Sequence, residues 1–321
     1  MSDEYVLAGD VGGTNLRIAA VARDGTILYR TNVSTPGTVG ACEIVAAIVD
    51  AAESVIRGAT GTARPMGFGL AVAALVNPVE GRILSSPNLP QLNGVCLGAT
   101  ISAKLGLDVV LENDATAAAI GELWLGSSKG AQNSVFVTLG TGIGGGLILD
   151  GRPYRGSDGT AGEIGHICVE PEGHPCGCGS RGCVEQYASA TAIVRIFREL
   201  SGNDGSQTLT GRPVITASAV YDAAVGGDQV ARETFRVMGR YLGVALADLI
   251  DILNPEMIVI GGGAAGAWDL FIGDVRSEIA GRAFKHPADR ARLVRASLGD
   301  SAGVLGAARV IYDRLSVPTP T

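Results

Sequence analysis

Residues 5–21 read YVLAGDVGGTNLRIAAV. Tyr5 to Gly9 is a short apolar run of strand character, Asp10 to Thr14 a Gly-rich turn, and Leu16 to Val21 a second strand. Asp24-Gly25 makes a hairpin turn into a third strand, Thr26 to Val33. The same order returns later. Ser134 to Leu139 is a strand, Gly140 to Gly146 a Gly-rich turn, Leu147 to Leu149 a strand, and Asp150-Gly151 a turn. Strand, glycine turn and returning strand thus occur twice. This reads as two related lobes facing each other rather than as a solenoid.

The intervening sequence fills in each lobe. Ala41 to Arg57 has the apolar spacing of a helix, Gly67 to Leu75 and Val109 to Leu111 read as buried strands, and Ala115 to Leu125 as a helix. A meander followed by alternating helices and strands predicts an α/β fold with mixed sheets. Ser201 to Arg212 is polar and predicts an exposed loop. Ser218 to Leu253 is mostly helical, and Met257 to Ile260 is a strand that runs into Gly261-Gly262-Gly263. Asp269 to Ala280 is helical, Leu293 to Ala296 a strand, and Ala302 to Leu315 a helix rich in small residues. The expected division is a smaller lobe over 1–117, with 302–321 packing back on it, and a larger lobe over 118–301.

Composition narrows the function. A chain of 321 residues with 46% apolar content has material for two cores. A net charge of −7, a pI of about 5.1 and the lack of a long basic run argue against nucleic-acid binding. No stretch reaches the roughly 18 uninterrupted apolar residues that a membrane helix needs. Tyr241 to Ile260 comes nearest but is broken by Asp248, Asp251, Asn254, Pro255 and Glu256. The N-terminus carries Asp3 and Glu4 and no secretory pattern, so a cytoplasmic location is expected.

The glycine loops carry the first chemistry. In Asp10-Val11-Gly12-Gly13-Thr14-Asn15, glycines let backbone N–H groups approach an anion, Thr14 adds a hydroxyl, and Asp10 can hold Mg²⁺ through water. The same residues would also make a plain hairpin with an Asp turn. Gly140, Gly142 and Gly145 formally match G-x-G-x-x-G, but a strand and turn follow where a dinucleotide site needs a helix. Gly261, Gly263 and Gly266 match too, and a helix does follow them. The next strand, however, ends in Ser297-Leu298-Gly299 with no acid placed for a ribose. No G-x-x-x-x-G-K-[ST] occurs.

Cysteine placement carries the second. Cys176, Cys178 and Cys183 fall within eight residues. With His166 or His174 they make a Cys₃His set, the ligand set of a closed structural zinc site. Cys42, Cys96 and Cys168 read as small buried apolar residues.

Taken together, the loops and the cysteine cluster resemble the ROK family of repressors, open reading frames and kinases, over almost the whole chain and most strongly its bacterial glucokinases. Residues 176–185 fit the family pattern C-x-C-G-x-x-G-C-x-E at every fixed position. The resemblance implies an actin-like, ribonuclease H-like fold whose lobes close on ATP and a hexose. It assigns Asp10, Gly12, Gly13, Thr14, Asn15, Gly140, Thr141, Gly142 and Gly144 to Mg-ATP phosphates, and Gly261, Gly262 and Gly263 to the adenosine pocket. Asp114, in Glu112-Asn113-Asp114, becomes the catalytic base. Asn88, Asn113, Asp114, Glu163, His166 and Glu185 become sugar contacts, and His166, Cys176, Cys178 and Cys183 zinc ligands. Family members commonly form dimers or tetramers.

Two positions depart from the family. Ala73-Ala74 replaces a common Pro-Gly, and Gln91-Leu92-Asn93 follows Pro90 where many members have a small residue and Trp. The expected activity is transfer from ATP to the 6-hydroxyl of glucose, with N-acetylmannosamine, N-acetylglucosamine, fructose or mannose as alternative acceptors and polyphosphate as an alternative donor. Other classes remain open at this level: a sugar-sensing regulator, for which no room for a DNA-binding domain precedes Asp10, and a nicotinamide-dependent dehydrogenase using the Gly261 loop.

Overall fold

A computed structural model describes residues 4–37, 40–59, 64–202 and 214–316. Along the chain come β1 (Tyr5–Val11), β2 (Asn15–Ala22), β3 (Ile27–Ser34), α1 (Ala41–Gly58), β4 (Phe68–Val72), β5 (Leu75–Asn77), β6 (Arg82–Ser85), α2 (Leu97–Leu105), β7 (Val109–Asn113) and α3 (Asp114–Leu125). They are followed by β8 (Ser134–Leu139), β9 (Ile143–Leu149), β10 (Arg152–Pro153), α4 (Glu185–Ala188), α5 (Ala190–Ser201), α6 (Ala217–Val225) and α7 (Gln229–Leu253). The chain closes with β11 (Met257–Gly261), α8 (Trp268–Arg282), α9 (Lys285–Arg290), β12 (Arg292–Arg295) and α10 (Ala302–Ser316).

The fold is α/β with mixed sheets, as the alternation of elements predicts. Of the two five-stranded sheets, one runs β3-β2-β1-β4-β7 and the other β10-β9-β8-β11-β12, and β5 and β6 form a separate two-stranded antiparallel sheet. In each five-stranded sheet, an antiparallel edge adjoins parallel strands. β1 pairs antiparallel with β2 and parallel with β4, β4 pairs parallel with β7, and β11 is parallel to both β8 and β12.

The chain divides into two compact units. The first comprises 1–131, 146–162 and 296–321, and the second 132–145 and 163–295. The boundary expected at 117 falls inside α3, all of which belongs to the first unit. A helix started and capped as a unit gives its middle no reason to be a border.

In the first unit β1 is buried on both faces, so its apolar residues run nearly without break. Tyr5, Leu7 and Val11 face a core shared with Ile44, Ile48 and Val55 of α1 and Ile101 of α2. Val6 and Ala8 face a second core with Ala117 of α3 and Val304, Leu305, Ala308 and Ile311 of α10. Each large side chain buried in this way contributes about 1.5–3 kcal/mol. Tyr312 closes the second core by donating from its hydroxyl to the Val21 carbonyl at 2.8 Å.

The second unit is dominated by α7. Asp228 caps it, accepting from the Ala231 N–H at 2.9 Å, and Asn254 ends it in the left-handed conformation. Its buried face includes Phe235, Met238, Leu242 and Leu246. In this unit β11 and β12 are joined through α8 and α9 as a parallel crossover.

Two readings are corrected by the strands themselves. β1 continues through Val11 and β9 begins at Ile143, so the glycine turns are shorter than the sequence suggests: Gly12 to Thr14 and Gly140 to Gly142. Glycine lowers strand propensity, but pairing with a neighbour overrides it. The loop expected over Ser201 to Arg212 lies outside the described residues from 203 onward.

Candidate active site

The carboxyl ends of three parallel strands meet at one edge of the first sheet. Register aligns Val11 with Val72 and Val72 with Asn113. In open α/β sheets this edge is where ligands bind. At strand spacings of about 4.8 Å, the ends of β1 and β7 lie roughly 10 Å apart.

The first glycine turn leaves β1 here. The Gly12 N–H donates to the Asn15 carbonyl at 2.9 Å, and the Thr35 hydroxyl donates to the Gly12 carbonyl at 2.7 Å, bracing the loop from beyond β3. A Cβ placed on Gly13 would come within 3.0 Å of Asn88 Cβ, so Asn88 borders this turn. Its segment is held by Ser86, whose N–H donates to Asn93 Oδ1 at 2.8 Å and whose hydroxyl donates to the Ala73 carbonyl at 2.8 Å.

Asp10 is largely buried beside Arg17, whose Nη1 lies 3.2 Å from Asp10 Oδ2. Burial raises the Asp10 carboxyl above the usual range, and the Arg17 guanidinium pulls it part of the way back. Arg17 Nη2 also lies 3.4 Å from Asp300. Arg17 is not among the residues that the motifs single out. A cation seven residues past an Asp, on the returning strand of a tight hairpin, is the signal that could have found it.

At β7 the side chains are arranged around Asp114. Asn113, not Asp114, caps α3: its Oδ1 accepts from the Thr116 N–H at 3.0 Å. Its amide nitrogen donates to the Ala74 carbonyl at 3.1 Å and to Asp114 Oδ1 at 3.2 Å. Asn113 thereby orients Asp114, with one lone pair of its Oδ1 left over. Asp114 Oδ1 also accepts from the Ala115 N–H at 2.9 Å.

Below it, Glu112 is 2% exposed and meets Arg155 through Nη2 at 2.6 Å and Nε at 2.8 Å, both on Oε2. Burial pushes its carboxyl up and Arg155 opposes that. No local sequence pattern marks this pair, because 43 positions separate its members.

In the second unit the other two glycine loops leave adjacent parallel strands. Thr138 of β8 is in register with Gly261 of β11. Gly262 has φ +84, and a Cβ there would lie 2.5 Å from the Leu139 carbonyl oxygen, so only glycine fits. The Gly140 loop is tied down on its other side. The Thr191 hydroxyl donates to the Thr141 carbonyl at 2.8 Å, and the Ile143 N–H donates to Glu185 Oε2 at 3.1 Å. A Cβ on Gly142 would sit 2.2 Å from that carboxylate oxygen. Next to Thr141 is an open pocket of about 510 Å³ lined by Ala190, Thr191, Val194, Arg195, Arg198, Glu199 and Ala217. Gly261, Gly262 and Gly263 are not among its lining residues.

The Cys₃His set comes together, with His166 as its histidine. Ligand atoms of His166, Cys176, Cys178 and Cys183 all lie within 4.8 Å of one another. His166 Nδ1 is 3.5 Å from Cys176 Sγ, and Cys178 Sγ is 3.7 Å from Cys183 Sγ. Metal–sulfur bonds of about 2.3 Å and a metal–nitrogen bond of about 2.05 Å at tetrahedral angles require edges of about 3.8 and 3.6 Å, so the set fits zinc.

The other imidazole nitrogen, Nε2, faces Glu163 Oε2 at 3.7 Å, the usual second partner of a metal-bound His. Burial raises the Glu163 carboxyl, His166 lowers it and Glu185 raises it. Burial also pushes the Cys183 thiol up to about 12, which bound metal would reverse. His174 goes elsewhere, its Nε2 lying 2.6 Å from Arg195 Nη1. Cys42 and Cys168 are exposed, not buried as expected. Small size favours burial of cysteine only where an apolar face receives it.

The sequence model of the ROK family matches residues 6–314. A glucokinase from Halalkalibacterium halodurans is 37% identical over 312 residues, 95% of this chain and 94% of that one. A ROK family glucokinase from Streptomyces griseus, solved in complex with glucose and AMPPNP, superposes with a TM-score of 0.80 at 34% identity, covering 95% of this chain and 98% of that one. A ROK family transcriptional regulator, described as a homologue of the E. coli MLC protein, superposes with a TM-score of 0.88 at 30% identity. That match covers 98% of this chain and 80% of the regulator.

Proposed function

The chain belongs to the ROK family, and on that premise we propose that it is a hexose kinase that transfers the γ-phosphoryl group of Mg-ATP to the 6-hydroxyl of glucose. Relatives that are named glucokinases at 36–37% identity over nearly the whole chain support this reading. The observation that carries it is the placement of Asp114: a carboxylate at the end of β7, oriented by Asn113, on the same sheet edge as the Asp10–Asn15 turn.

Phosphoryl transfer asks the protein for alignment and charge stabilisation more than covalent chemistry. Asp114 accepts the proton of the attacking hydroxyl. Asn88 and Asn113 in the first unit, and Glu163, His166 and Glu185 in the second, are the proposed partners of the remaining hydroxyls. Asp10 would hold Mg²⁺ through water, and the metal would supply charge neutralisation at the phosphates. N–H groups of the two glycine turns and the Thr14 and Thr141 side chains take the phosphate oxygens. The pocket beside Thr141 takes the nucleoside, with Gly261 to Gly263 shaping the strand end next to it. The Cys₃His set would hold zinc in a structural role, fixing the loop that bears Glu163, His166 and Glu185.

The likeness to a transcriptional regulator supplies a second reading, sugar binding without turnover. Glucose-dependent ADP formation in a coupled assay decides between them. Turnover that requires both glucose and Mg²⁺ is the expected result. Glucose binding by calorimetry with no ADP formed would instead establish the regulatory reading.

A further inference from the structure

Cys168 lies across a short antiparallel bridge from Cys183, one of the four clustered ligands. The Val169 N–H donates to the Gly182 carbonyl and the Val184 N–H to the Ile167 carbonyl, each at 2.8 Å. These bonds flank the Cys168–Cys183 pair instead of joining it, so it is a non-hydrogen-bonded pair, whose Cα atoms lie about 4.5 Å apart. Directly opposed residues project to the same face. A disulfide needs Cα atoms about 4.4–6.8 Å apart, so the backbone already has the span. The two thiols differ in access: Cys168 is exposed and Cys183 is fully buried.

We propose that Cys168 is an oxidation site for hydroperoxides and that Cys183 is its resolving partner. The Cys168 sulfur attacks one peroxide oxygen, the O–O bond breaks, and water leaves from hydrogen peroxide as the sulfenic acid forms. The Cys183 sulfur then attacks the Cys168 sulfur. The S–S bond forms, the S–O bond breaks, and the departing hydroxide takes a proton to become a second water. Both sulfurs are oxidised and the peroxide is reduced. A dithiol reverses the bond by exchange.

The consequence reaches the glycine loop. Forming the bond removes one of the four ligands and leaves His166, Cys176 and Cys178. Two residues beyond Cys183, Glu185 accepts the N–H of Ile143, the first residue of β9 and the anchor of the Gly140 loop that precedes it. Oxidation would therefore release metal and loosen that loop together. The loss of activity rests on the kinase reading, whereas the bond itself does not.

The test uses the purified full chain, treated with hydrogen peroxide, blocked with N-ethylmaleimide and digested with trypsin. Cleavage after Arg155, Arg181 and Arg195 yields peptides 156–181 and 182–195, and fragmentation of the linked pair identifies which sulfur of the first is bonded. The expected bond is Cys168–Cys183, with release of zinc to a chromogenic chelator and loss of glucose phosphorylation, both restored by dithiothreitol and added zinc. Cys168→Ser should keep basal activity and metal content and lose them to peroxide about tenfold more slowly. A wild-type bond through Cys176 or Cys178, or Cys168→Ser inactivated at the wild-type rate, overturns the proposal. Should the isolated chain carry no metal, the identity of the linked sulfurs still decides.

Discussion

Asp114 stands at the start of α3, where an Asp ordinarily serves as the cap. Here Asn113 performs that task and Asp114 is left to the strand end. Its replacement by Asn should therefore cost the helix little. If Asp114 is the base, Asp114→Asn should lower kcat by about 10²–10⁴-fold. Glucose and nucleotide affinities, read by calorimetry, should change by no more than about threefold, since the interaction lost is one made in the transition state. Turnover near the wild-type rate would leave Asp114 as a structural residue. Asp10 differs in kind. It is a carboxylate held between burial and the Arg17 guanidinium, and its partner Arg17 also faces Asp300, so three charges share one strand end.

At the scale of elements, the Glu112–Arg155 pair fastens β7 to the segment after β10. Buried ion pairs add little net stability, but removing one partner strands the other, at about 3–5 kcal/mol. Arg155→Met should therefore destabilise the chain strongly. Burial already raises the Glu112 carboxyl above its unfolded value, and loss of Arg155 raises it further. Between the unfolded and folded values the native state binds more protons, so unfolding free energy falls as pH rises through that window. The deficit in Tm of Arg155→Met against wild type should thus be smaller at pH 5 than at pH 8. An equal deficit at both would show that Glu112 is not the cause. The cysteine loop gives a second test. Cys178→Ser should lose about one zinc per chain and weaken glucose binding more than nucleotide binding, because Glu163, His166 and Glu185 depend on that loop. Full glucose affinity without metal would refute this. These two elements also differ in how far they could be read beforehand. The cysteine loop was legible because its ligands are close in sequence and chemically rare. The strands and glycine turns were legible because apolar runs and glycines alternate locally. The Glu112–Arg155 pair, the Arg17 partner of Asp10 and the Glu185 bond to Ile143 join residues whose proximity only the folded register creates, and no local pattern marks them.

Across the whole molecule the question that remains is which hexose the chain selects. The proposed partners are Asn88, Asn113, Asp114, Glu163, His166 and Glu185, a set rich in acceptors and suited to hydroxyl groups. A site built for hydroxyls leaves buried groups unpaired when one is missing or inverted, and such mismatches discriminate by orders of magnitude. An N-acetyl group would require an apolar recess beside the 2-position, and a ketohexose would move the ring hydroxyls out of register. The structure adds a constraint at the two departures from the family pattern. The Ala74 carbonyl receives Asn113 Nδ2, and the side chain of Asn93 receives the Ser86 N–H, so both departures brace proposed sugar-binding segments through hydrogen bonds. These bonds fix the segments that bear Asn113 and Asn88. Glucose should therefore exceed mannose, fructose, N-acetylglucosamine and N-acetylmannosamine in kcat/KM with Mg-ATP. A gap of tenfold corresponds to about 1.4 kcal/mol in transition-state binding. If any of the four alternatives leads glucose by that margin, glucose is not the substrate and Ala73-Ala74 or Gln91-Leu92-Asn93 has reshaped the pocket. Ala73→Pro combined with Ala74→Gly, measured across the same five sugars, would then show which, since only a reshaped pocket should move its preference back toward glucose.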